Sequence, residues 1–259
     1  MTGYCGQVSL GTGGFMAVGA YASYKFMTAF PDLNIFFVII LSGFVTAFVG
    51  TLFGLPSLRI KGFYLAVATL AAQFFLIWLF NKVGWFYNYS ATGMITAPSR
   101  SVGSFFITGS ESTPAAKYLF CFLFVFLLAW IARNLTRGKI GRSWMAIRDM
   151  DIAAEIIGVN PLIAKLSAFA ISSFYVGVAG ALFFSVYLGA VEPTEAFSIQ
   201  KSFIVLFMVI IGGLGSIFGS FAGAAFMVLL PVALKNLLVL QFGWSVDCLL
   251  YTSDAADEV

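Results

Sequence analysis

Residues 35–55 read IFFVIILSGFVTAFVGTLFGL, a stretch in which no side chain carries a charge. An α-helix needs about 20 apolar residues to cross the hydrocarbon core of a bilayer, so this stretch predicts a membrane-spanning helix. Further stretches share its apolar character: Val8–Phe26, Gly62–Phe80, Ala115–Ile131, Leu166–Leu188, Phe203–Gly213 and Ile217–Leu234. The sequence therefore predicts an all-α fold, a polytopic transmembrane helix bundle with about six or seven membrane segments.

The composition agrees with a membrane protein and excludes several kinds of site. Of the 259 residues, 61% are hydrophobic and only 10% are charged, whereas soluble domains average about 25% charged residues. Histidine is absent, which excludes catalytic triads, metal sites and proton relays that depend on an imidazole. The cysteines, Cys5, Cys121 and Cys248, have no CxxC spacing, so we expect neither a metal site nor a disulfide framework.

The basic residues predict which side of the membrane each connection occupies. The connection 133–165 is the richest in Lys and Arg, and such clusters favour the cytoplasmic side. Counting spans back from it places residues 59–61, which are also basic, inside the cell. The Asp32 turn and residues 81–114 then lie outside, and so does the acidic stretch 192–195 that follows the next span.

Acidic side chains are absent from the predicted spans, because every Asp and Glu falls in a connection or in the C-terminal tail. Transporters driven by protons usually keep an ionisable group at mid-membrane depth. The sequence therefore disfavours proton-coupled transport, while a sodium site built from backbone carbonyl groups stays open.

Two glycine-rich segments, Ser9–Ala20 and Gly212–Gly219, predict broken membrane helices. Clustered glycines expose backbone N–H and C=O groups, which a membrane tolerates only beside a cavity or under protein cover. Breaks in both halves of a transporter indicate its substrate path. Phe203–Gly213 is too short to span and fits as one half of a broken helix. The candidate substrate-path residues are Ser9, Thr12, Gly13, Gly14, Gln73, Gly212, Gly213, Gly215 and Ser216.

Close helix packing is the alternative explanation of these glycines, because small residues let two helices approach each other. GxxxG spacing occurs at Gly50 and Gly54, and again at Gly215, Gly219 and Gly223. Gln73 is the one strongly polar side chain deep in a predicted span, and an interhelical hydrogen bond suits it as well as contact with a substrate. The residues alone leave both explanations open.

The connection between the fourth and fifth predicted spans contains GKIGRSWMAIRDMDIAAEIIGVNPLIAK, residues 138–165. Ile147, Met150, Ala154 and Ile157 recur at helical spacing and predict a short amphipathic helix. Gly158, followed by Asn160-Pro161, ends it. Such a helix, running from Arg148 to Gly158, is suited to dock against a soluble partner as a rigid lever, although a solvated or interfacial loop helix is the commoner explanation.

This connection resembles the coupling helix of ATP-binding-cassette permeases, whose pattern is Glu-Ala-Ala, three residues, then Gly. Ala153, Ala154 and Gly158 keep the pattern, while Ile152 stands where Glu is usual. With the motifs that follow, the chain is similar to the M-type permease subunit of branched-chain amino acid importers. Those motifs are Gly6–Gly11, Gly19–Tyr21, Gly54–Ala66, Gly141-Arg142, Ala146–Asp149, Ala179–Leu182, Pro193 and Gly212–Ser216.

The resemblance implies a transport subunit that is not itself an enzyme, in the bacterial inner membrane. It implies cytoplasmic ATPase subunits that bind ATP and Mg²⁺, a second homologous permease and a soluble periplasmic or lipid-anchored binding protein. This chain itself has no phosphate-binding GxxxxGK[ST] loop; we expect it to bind no cofactor and no nucleic acid, only lipid and protein partners. The residues implied in ATPase coupling are Gly141, Arg142, Arg148, Asp149, Asp151, Ala153, Ala154, Glu155 and Gly158.

Three other functions stay open at this point. A permease for urea or short amides carries an almost identical connection, and a channel or facilitator would need no ATPase. A membrane scaffold without transport is the third, which the glycine breaks disfavour. Thr12-Gly13-Gly14 stands where relatives usually have His followed by small residues, so the local substrate contacts are expected to differ.

The C-terminal residues break the character of the chain. Residues 248–259 turn polar and acidic, and Cys248-Leu-Leu-Tyr-Thr-Ser matches the translation of a sequencing adapter. We therefore expect a transmembrane permease domain over 1–247, with the coupling loop 133–165 inside it, and a non-native tail over 248–259. Because members of the family have further helices before and after the matching region, the domain is expected to be truncated at both ends.

Overall fold

The computed structural model describes residues 1–57, 64–90, 92–102, 105–109 and 112–242. Within them the chain is almost entirely helical, as the sequence predicts. The helices are α1 (Thr2–Cys5), α2 (Thr12–Ala29), α3 (Ile35–Ser57), α4 (Tyr64–Lys82), α5 (Pro114–Arg137), α6 (Lys139–Asp149), α7 (Asp151–Ile156), α8 (Pro161–Leu182), a π-helical continuation of it (Phe183–Leu188), α9 (Pro193–Ala196), α10 (Ile199–Gly212) and α11 (Ile217–Phe242).

Six stretches in the described part of the chain are helical, long and apolar enough to cross a membrane. They are Ile35–Leu55, Tyr64–Lys82, Pro114–Arg137, Pro161–Leu188, Pro193–Gly212 and Ile217–Leu234. The protein is therefore a multi-pass membrane protein. The chain divides into two units, Met1–Ile204 and Val205–Val259, which are described separately below. The basic residues at 59–61 and the tail 248–259 lie outside the described residues.

The predicted span Val8–Phe26 differs most from the structure. Residues 8–11 are not helical, and α2 begins at Thr12. Eleven of its 18 residues are buried within the protein, where α2 packs against α3, α4 and α8. Because its neighbours rather than lipid surround it, α2 can be rich in glycine, alanine and serine and still lie within the bundle.

Glycines set how closely the central helices approach each other. A Cβ atom on Gly19 would lie 2.7 Å from the Cα atom of Gly177, and one on Gly180 would overlap the carbonyl oxygen of Met16, so α2 and α8 touch backbone to backbone. The GxxxG pair of α3 likewise faces α8, with Gly50 against Ser173. The packing explanation is therefore confirmed for that pair.

The prediction starts the segment Phe203–Gly213 too late in the chain, which is why the predicted segment is too short to span. α10 begins at Ile199, and with the short α9 it forms the stretch Pro193–Gly212, which is long enough to span. The break falls at Phe197, where the backbone leaves helical geometry at φ −117° and ψ 33°. A broken helix is thus present here, but Pro193–Gly212 as a whole replaces the half-helix that the sequence predicts.

Short strands join the connections at one end of the bundle, a feature that the all-α prediction misses. β1 (Ile95–Thr96) pairs with β4 (Ala190–Val191), and β2 (Arg100–Val102) pairs with β3 (Phe105–Thr108), both antiparallel. The guanidinium of Arg100 donates hydrogen bonds to the carbonyl oxygens of Met27 (2.7 Å) and Phe30 (3.4 Å) at the end of α2. The three connections that the charge pattern assigns to one side of the membrane therefore do lie together.

Candidate functional site

The first glycine-rich segment meets α4 before α2 begins. The backbone N–H of Leu10 donates to the Thr69 hydroxyl at 3.0 Å, and that hydroxyl donates in turn to the carbonyl oxygen of Ala66 at 2.9 Å. A Cβ atom on Gly11 would lie 2.5 Å from the carbonyl oxygen of Thr69. The non-helical residues ahead of α2 are therefore fixed to α4 by backbone contact.

One chain of hydrogen bonds connects three elements at the start of α2. The backbone N–H of Gly13 donates to the Ser202 hydroxyl at 2.7 Å, and Ser202 donates to Oε1 of Gln73 at 2.6 Å. Nε2 of Gln73 donates to the carbonyl oxygen of Phe197 at 3.4 Å, at the break between α9 and α10. Ser202 and Gln73 are both 1% exposed, so these bonds satisfy polar groups that would otherwise be buried without partners.

The structure brings three predicted substrate-path residues together, namely Gly13, Gly14 and Gln73. Both glycines are helical rather than unwound, which corrects the prediction of a break across Ser9–Ala20: the break ends at Gly11. A Cβ atom on Gly14 would lie 2.8 Å from Cα of Gln73. No ligand fits between them in this arrangement, so a substrate would contact these residues only after the helices separate.

Ser9 and Thr12 lie beside a separate small cavity. Its volume is about 30 Å³, and its lining combines hydroxyl groups with apolar side chains: Met1, Ser9, Thr12, Phe15, Phe169, Ser172, Ser173 and Val176. A space of this size holds a water molecule but not an amino acid. The hydroxyls of Ser172 and Ser173, which the sequence analysis did not single out, thus share a polar pocket with two of the predicted residues.

The other predicted substrate-path residues belong to the second unit. α10 ends at Gly212, and Gly213 and Gly215 have φ angles of +96° and +92°, a conformation that glycine adopts readily. The Ser216 hydroxyl accepts a hydrogen bond of 3.0 Å from the Gly219 N–H and so caps α11. The segment Gly212–Ser216 is therefore a tight turn between two helices.

The glycines that bring the two helices together at this turn differ from the predicted set at one position. A Cβ atom on Gly212 would lie 2.6 Å from the carbonyl carbon of Gly219, and one on Gly223 would lie 2.9 Å from Cα of Gly212. Gly215 is a turn residue instead. The ridge therefore consists of Gly212, Gly219 and Gly223, because α10 and α11 reverse direction at the intervening residues.

The predicted coupling helix is two helices rather than one. α6 ends at Asp149 and α7 begins at Asp151, because Met150 is extended with φ −152° and ψ 101°. The predicted continuous helix from Arg148 to Gly158 is therefore wrong. The predicted apolar face is also split, since Ile147 and Ala154 are buried but Met150 is 70% exposed.

A buried cluster fixes α6 and α7 to the rest of the first unit. Trp144, Ile147 and Ala154 pack with Cys5 of α1 and with Ala164 and Ala168 of α8. The indole Nε1 of Trp144 donates to the Ser167 hydroxyl at 3.0 Å. Burial raises the pKa of the Cys5 thiol, because removal from water disfavours the thiolate.

Four charged residues of this connection form ion pairs within their own chain. Arg148 pairs with Asp149 at 2.9 Å and also donates to the carbonyl oxygen of Gly3 at 2.7 Å. Lys165 at the start of α8 pairs with Asp151 at 2.7 Å. Arg142, Ala153 and Glu155, which complete the set of predicted coupling residues together with the glycines, are exposed.

The two predicted coupling glycines shape the ends of these helices. A Cβ atom on Gly141 would overlap the backbone of Thr136, so only glycine allows the close corner between α5 and α6. Gly158 has a φ angle of +89° and ends α7, and its N–H donates to the carbonyl oxygen of Glu155 at 3.0 Å. Both residues therefore position the connection through their backbones.

An exposed apolar surface covers α7, and the sequence analysis did not identify it. We call it the α7 patch, and it consists of Met150 (70% exposed), Ile152 (73%), Ile156 (81%) and Ile157 (75%). The patch lies between two stretches long enough to span, Pro114–Arg137 and Pro161–Leu188. The helical period predicted the buried residues Ile147 and Ala154, but the break at Met150 turns the rest of that face outward.

Among the residues that the structure describes, no group of three or more Cys, Asp or Glu side chains could hold a metal ion.

The chain matches a family model described as "Branched-chain amino acid transport system / permease component" over residues 1–250. The chain belongs to this permease family. Its membership agrees with the resemblance, with the six membrane-spanning stretches and with the glycine-rich helix packing.

Curated relatives support the same assignment. The chain is 33% identical over 248 residues to the high-affinity branched-chain amino acid transport system permease protein LivM of Salmonella typhimurium, covering 88% of this chain and 57% of the relative. It is 31% identical over 246 residues to LivM of Escherichia coli, with the same coverage. It is 24% identical over 200 residues to the probable branched-chain amino acid transport permease protein LivM of Methanocaldococcus jannaschii, covering 76% and 55%.

The permease chain therefore spans a little over half the length of the relatives that it matches. No solved structure matches it. The family follows from these matches, and the multi-pass membrane fold follows from the spans.

Proposed function

We propose that this chain is the membrane-spanning subunit of an ATP-dependent importer for branched-chain amino acids in the bacterial inner membrane. A second homologous permease completes the translocation path, and separate cytoplasmic ATPases bind ATP and Mg²⁺. A soluble or lipid-anchored binding protein delivers the substrate. The names of the curated relatives support the substrate class, and the local structure of the connection between α5 and α8 supports the ATPase.

The α7 patch is the observation that carries this proposal. Four large apolar side chains within the short stretch 150–157, outside the spanning stretches, are each 70–81% exposed. Soluble surfaces rarely leave such a cluster uncovered, so it indicates an interaction site. Trp144 and Ile147 on the other side are buried, so α6 is attached to the first unit while α7 presents its side chains outward.

The charges around the α7 patch favour a soluble protein over the lipid surface. Beside the patch, Asp149 is paired with Arg148 and Asp151 with Lys165, and Glu155 adds a further acidic charge with no ion pair in the described structure. Helices that lie on membranes are usually rich in Lys and Arg on their polar face, because the cytoplasmic leaflet is negatively charged. An acidic rim around an apolar centre instead suits a groove on a protein partner.

The interior of the first unit supports a neutral substrate. The polar groups at the start of α2 are hydroxyls, one amide and backbone groups, and no Asp or Glu belongs to this cluster. Such a lining suits a zwitterion with an apolar side chain, which brings its own opposite charges. We propose that Ser9 and Thr12, together with Gly13, Gly14 and Gln73, contact the substrate when the helices of the first unit separate. Within the second unit, the turn Gly212–Ser216 stays a candidate part of the substrate path.

The test uses proteoliposomes that contain this permease at full length, the second permease, the ATPases and the binding protein. In the double variant Ile152→Ser, Ile156→Ser, we expect the rate of leucine uptake to fall more than tenfold. We expect the amount of ATPase that stays bound through purification to fall by more than tenfold as well. Ile140→Ser is the matched control, because Ile140 is exposed in the same connection but outside the α7 patch. Normal ATPase retention and uptake by the double variant would overturn the proposal, as would uptake that needs no ATP.

A further inference from the structure

The Arg148 side chain is 39% exposed but bonds to its own protein. Its Nη1 donates to the carbonyl oxygen of Gly3 at 2.7 Å, and its Nε donates to Asp149 at 2.9 Å. A charged donor on a backbone carbonyl gives a stronger hydrogen bond than a neutral one. Arg148 thus joins α6 to α1, two elements that are 145 residues apart in the sequence.

α1 is attached to α6 at a second point. Gly6 ends α1 with a φ angle of +67°, and a Cβ atom there would lie 3.2 Å from Cγ of Arg148. Cys5 is 3% exposed and packs against Trp144 and Ile147. The stem of Arg148 therefore covers the end of α1, while its guanidinium holds the start of the helix.

From α1 the chain leads in a few residues to the buried polar cluster of the bundle. Residues 7–11 are not helical, and Leu10 and Gly11 are fixed to Thr69 of α4. Gly13, two residues on, begins the chain of hydrogen bonds through Ser202 to Gln73. A displacement of α1 therefore has only residues 7–9 to cross before the fixed residues at the start of α2, and Gln7 among them is buried.

We propose that Arg148 is a positioning residue that holds α1 on α6 and transmits movement of the α6–α7 connection to the start of α2. The proposal rests on the proposed function in one respect, that a partner ATPase moves this connection. It assigns Arg148 an internal role, in contrast to a direct ion pair with the ATPase. Asp149, 65% exposed, orients the guanidinium from the solvent side.

The contact between α1 and α6 can be tested without transport. In a Cys121→Ser, Cys248→Ser background, Cys5 is the remaining thiol, and its burial against α6 makes its reaction with a maleimide report release of α1. Arg148→Met is expected to raise the rate of Cys5 labelling roughly tenfold, the effect of losing one charge-assisted hydrogen bond. Arg148→Lys restores a donor and is expected to recover part of the protection.

Arg142→Met is the matched control, because Arg142 is an exposed arginine of the same helix whose side chain makes no hydrogen bond or ion pair within the described structure. It is expected to leave Cys5 labelling at the parent rate. An unchanged labelling rate in Arg148→Met would overturn the clamp, and so would an equal increase in Arg142→Met.

The transmission step is tested in the reconstituted transporter. Arg148→Met is expected to retain the ATPase and its basal ATP hydrolysis, while leucine uptake per ATP hydrolysed falls roughly tenfold. Loss of the ATPase from Arg148→Met would overturn the proposal, because it would make Arg148 a direct contact. If the parent protein binds no ATPase, the proposed function fails, and the labelling experiment still decides whether Arg148 holds α1.

Discussion

The hydroxyl of Ser202 and the amide oxygen of Gln73 lie 2.6 Å apart, although 129 residues separate them in the sequence. Ser202 also accepts the backbone N–H of Gly13. One buried hydroxyl therefore joins the start of α2, the middle of α4 and the start of α10. In a bundle whose contacts are mostly apolar and weakly directional, such bonds select one arrangement of the three elements.

Replacing Gln73 by leucine is expected to destabilise this junction. Leucine has a similar size but removes the acceptor of the Ser202 hydroxyl and the amide that donates to the Phe197 carbonyl oxygen, at a cost of about 1–3 kcal/mol. Thermal unfolding of the purified protein in detergent measures the effect. Gln200→Leu is the control, because Gln200 lies exposed on the same helix as Ser202, and a melting temperature lowered equally in both variants would contradict the assignment.

Replacing Gly19 by alanine is expected to separate α2 from α8. The new methyl group would lie 2.7 Å from backbone atoms of Gly177, and a backbone cannot yield as a side chain can, so we expect a loss of about 3 kcal/mol or failure to fold. The amount of monodisperse protein after size-exclusion chromatography measures this. Gly138→Ala, whose methyl group would lie 3.4 Å from its nearest neighbours, should behave as the parent protein.

Substitutions at Gly158 distinguish the effect of backbone conformation from that of steric crowding. Nothing lies within 4 Å of a Cβ atom placed there, but its φ angle is +89°. We expect Gly158→Val to destabilise the end of α7 by about 1–2 kcal/mol, and Gly158→Asn to be better tolerated, because asparagine adopts left-handed conformations more readily. Protease sensitivity of the α6–α7 connection distinguishes the two variants, and equal sensitivity would exclude backbone strain as the cause.

The Cys5 thiol is expected to react slowly and at unusually high pH. Burial raises its pKa, so at pH 8 the folded protein holds less of the reactive thiolate than the unfolded chain. The same shift lowers stability above the ordinary pKa of a thiol, because the unfolded chain then releases its proton first. Labelling rates of the single-cysteine protein from pH 7 to 10, with and without denaturant, test the direction. Coincident curves would contradict it.

The spans were predictable because the bilayer constrains them residue by residue. The stretch 35–55 has no charged side chain, and α3 covers it and continues to Ser57. The apolar core of a membrane leaves a spanning chain few alternatives to a helix, so hydropathy alone fixes the type of element. The positions of the basic residues, together with the count of spans, predicted that the connections at Asp32, 81–114 and 192–195 lie on one side.

The helix contacts could not be read from the sequence in the same way. Nothing local distinguishes Ser202 from other serines in apolar segments, and its partner Gln73 lies on another helix. Gly215 has GxxxG spacing but belongs to a turn, while Gly212 provides the close contact. Spacing identifies residues that share a face of a helix, but it does not identify which faces meet.

The α6–α7 connection was predicted only in part, for a related reason. Ile147 and Ala154 have the helical spacing of one continuous helix, and both are buried. Periodicity alone is equally consistent with two helices joined by one extended residue, as occurs at Met150. The exposed α7 patch depends on that single residue, so it became visible only in three dimensions.

The strand pair at the other end of the bundle makes the two ends mechanically unequal. Ile95 pairs with Val191, and the N–H of Ala97 donates to the carbonyl oxygen of Gly189 at 2.7 Å, so the end of α8 farthest from α7 is tied to the connection after α4. α8 has 22 residues, a length of about 33 Å. With its far end held as a pivot, a tilt of about 5° would carry the α7 end through an arc of about 3 Å.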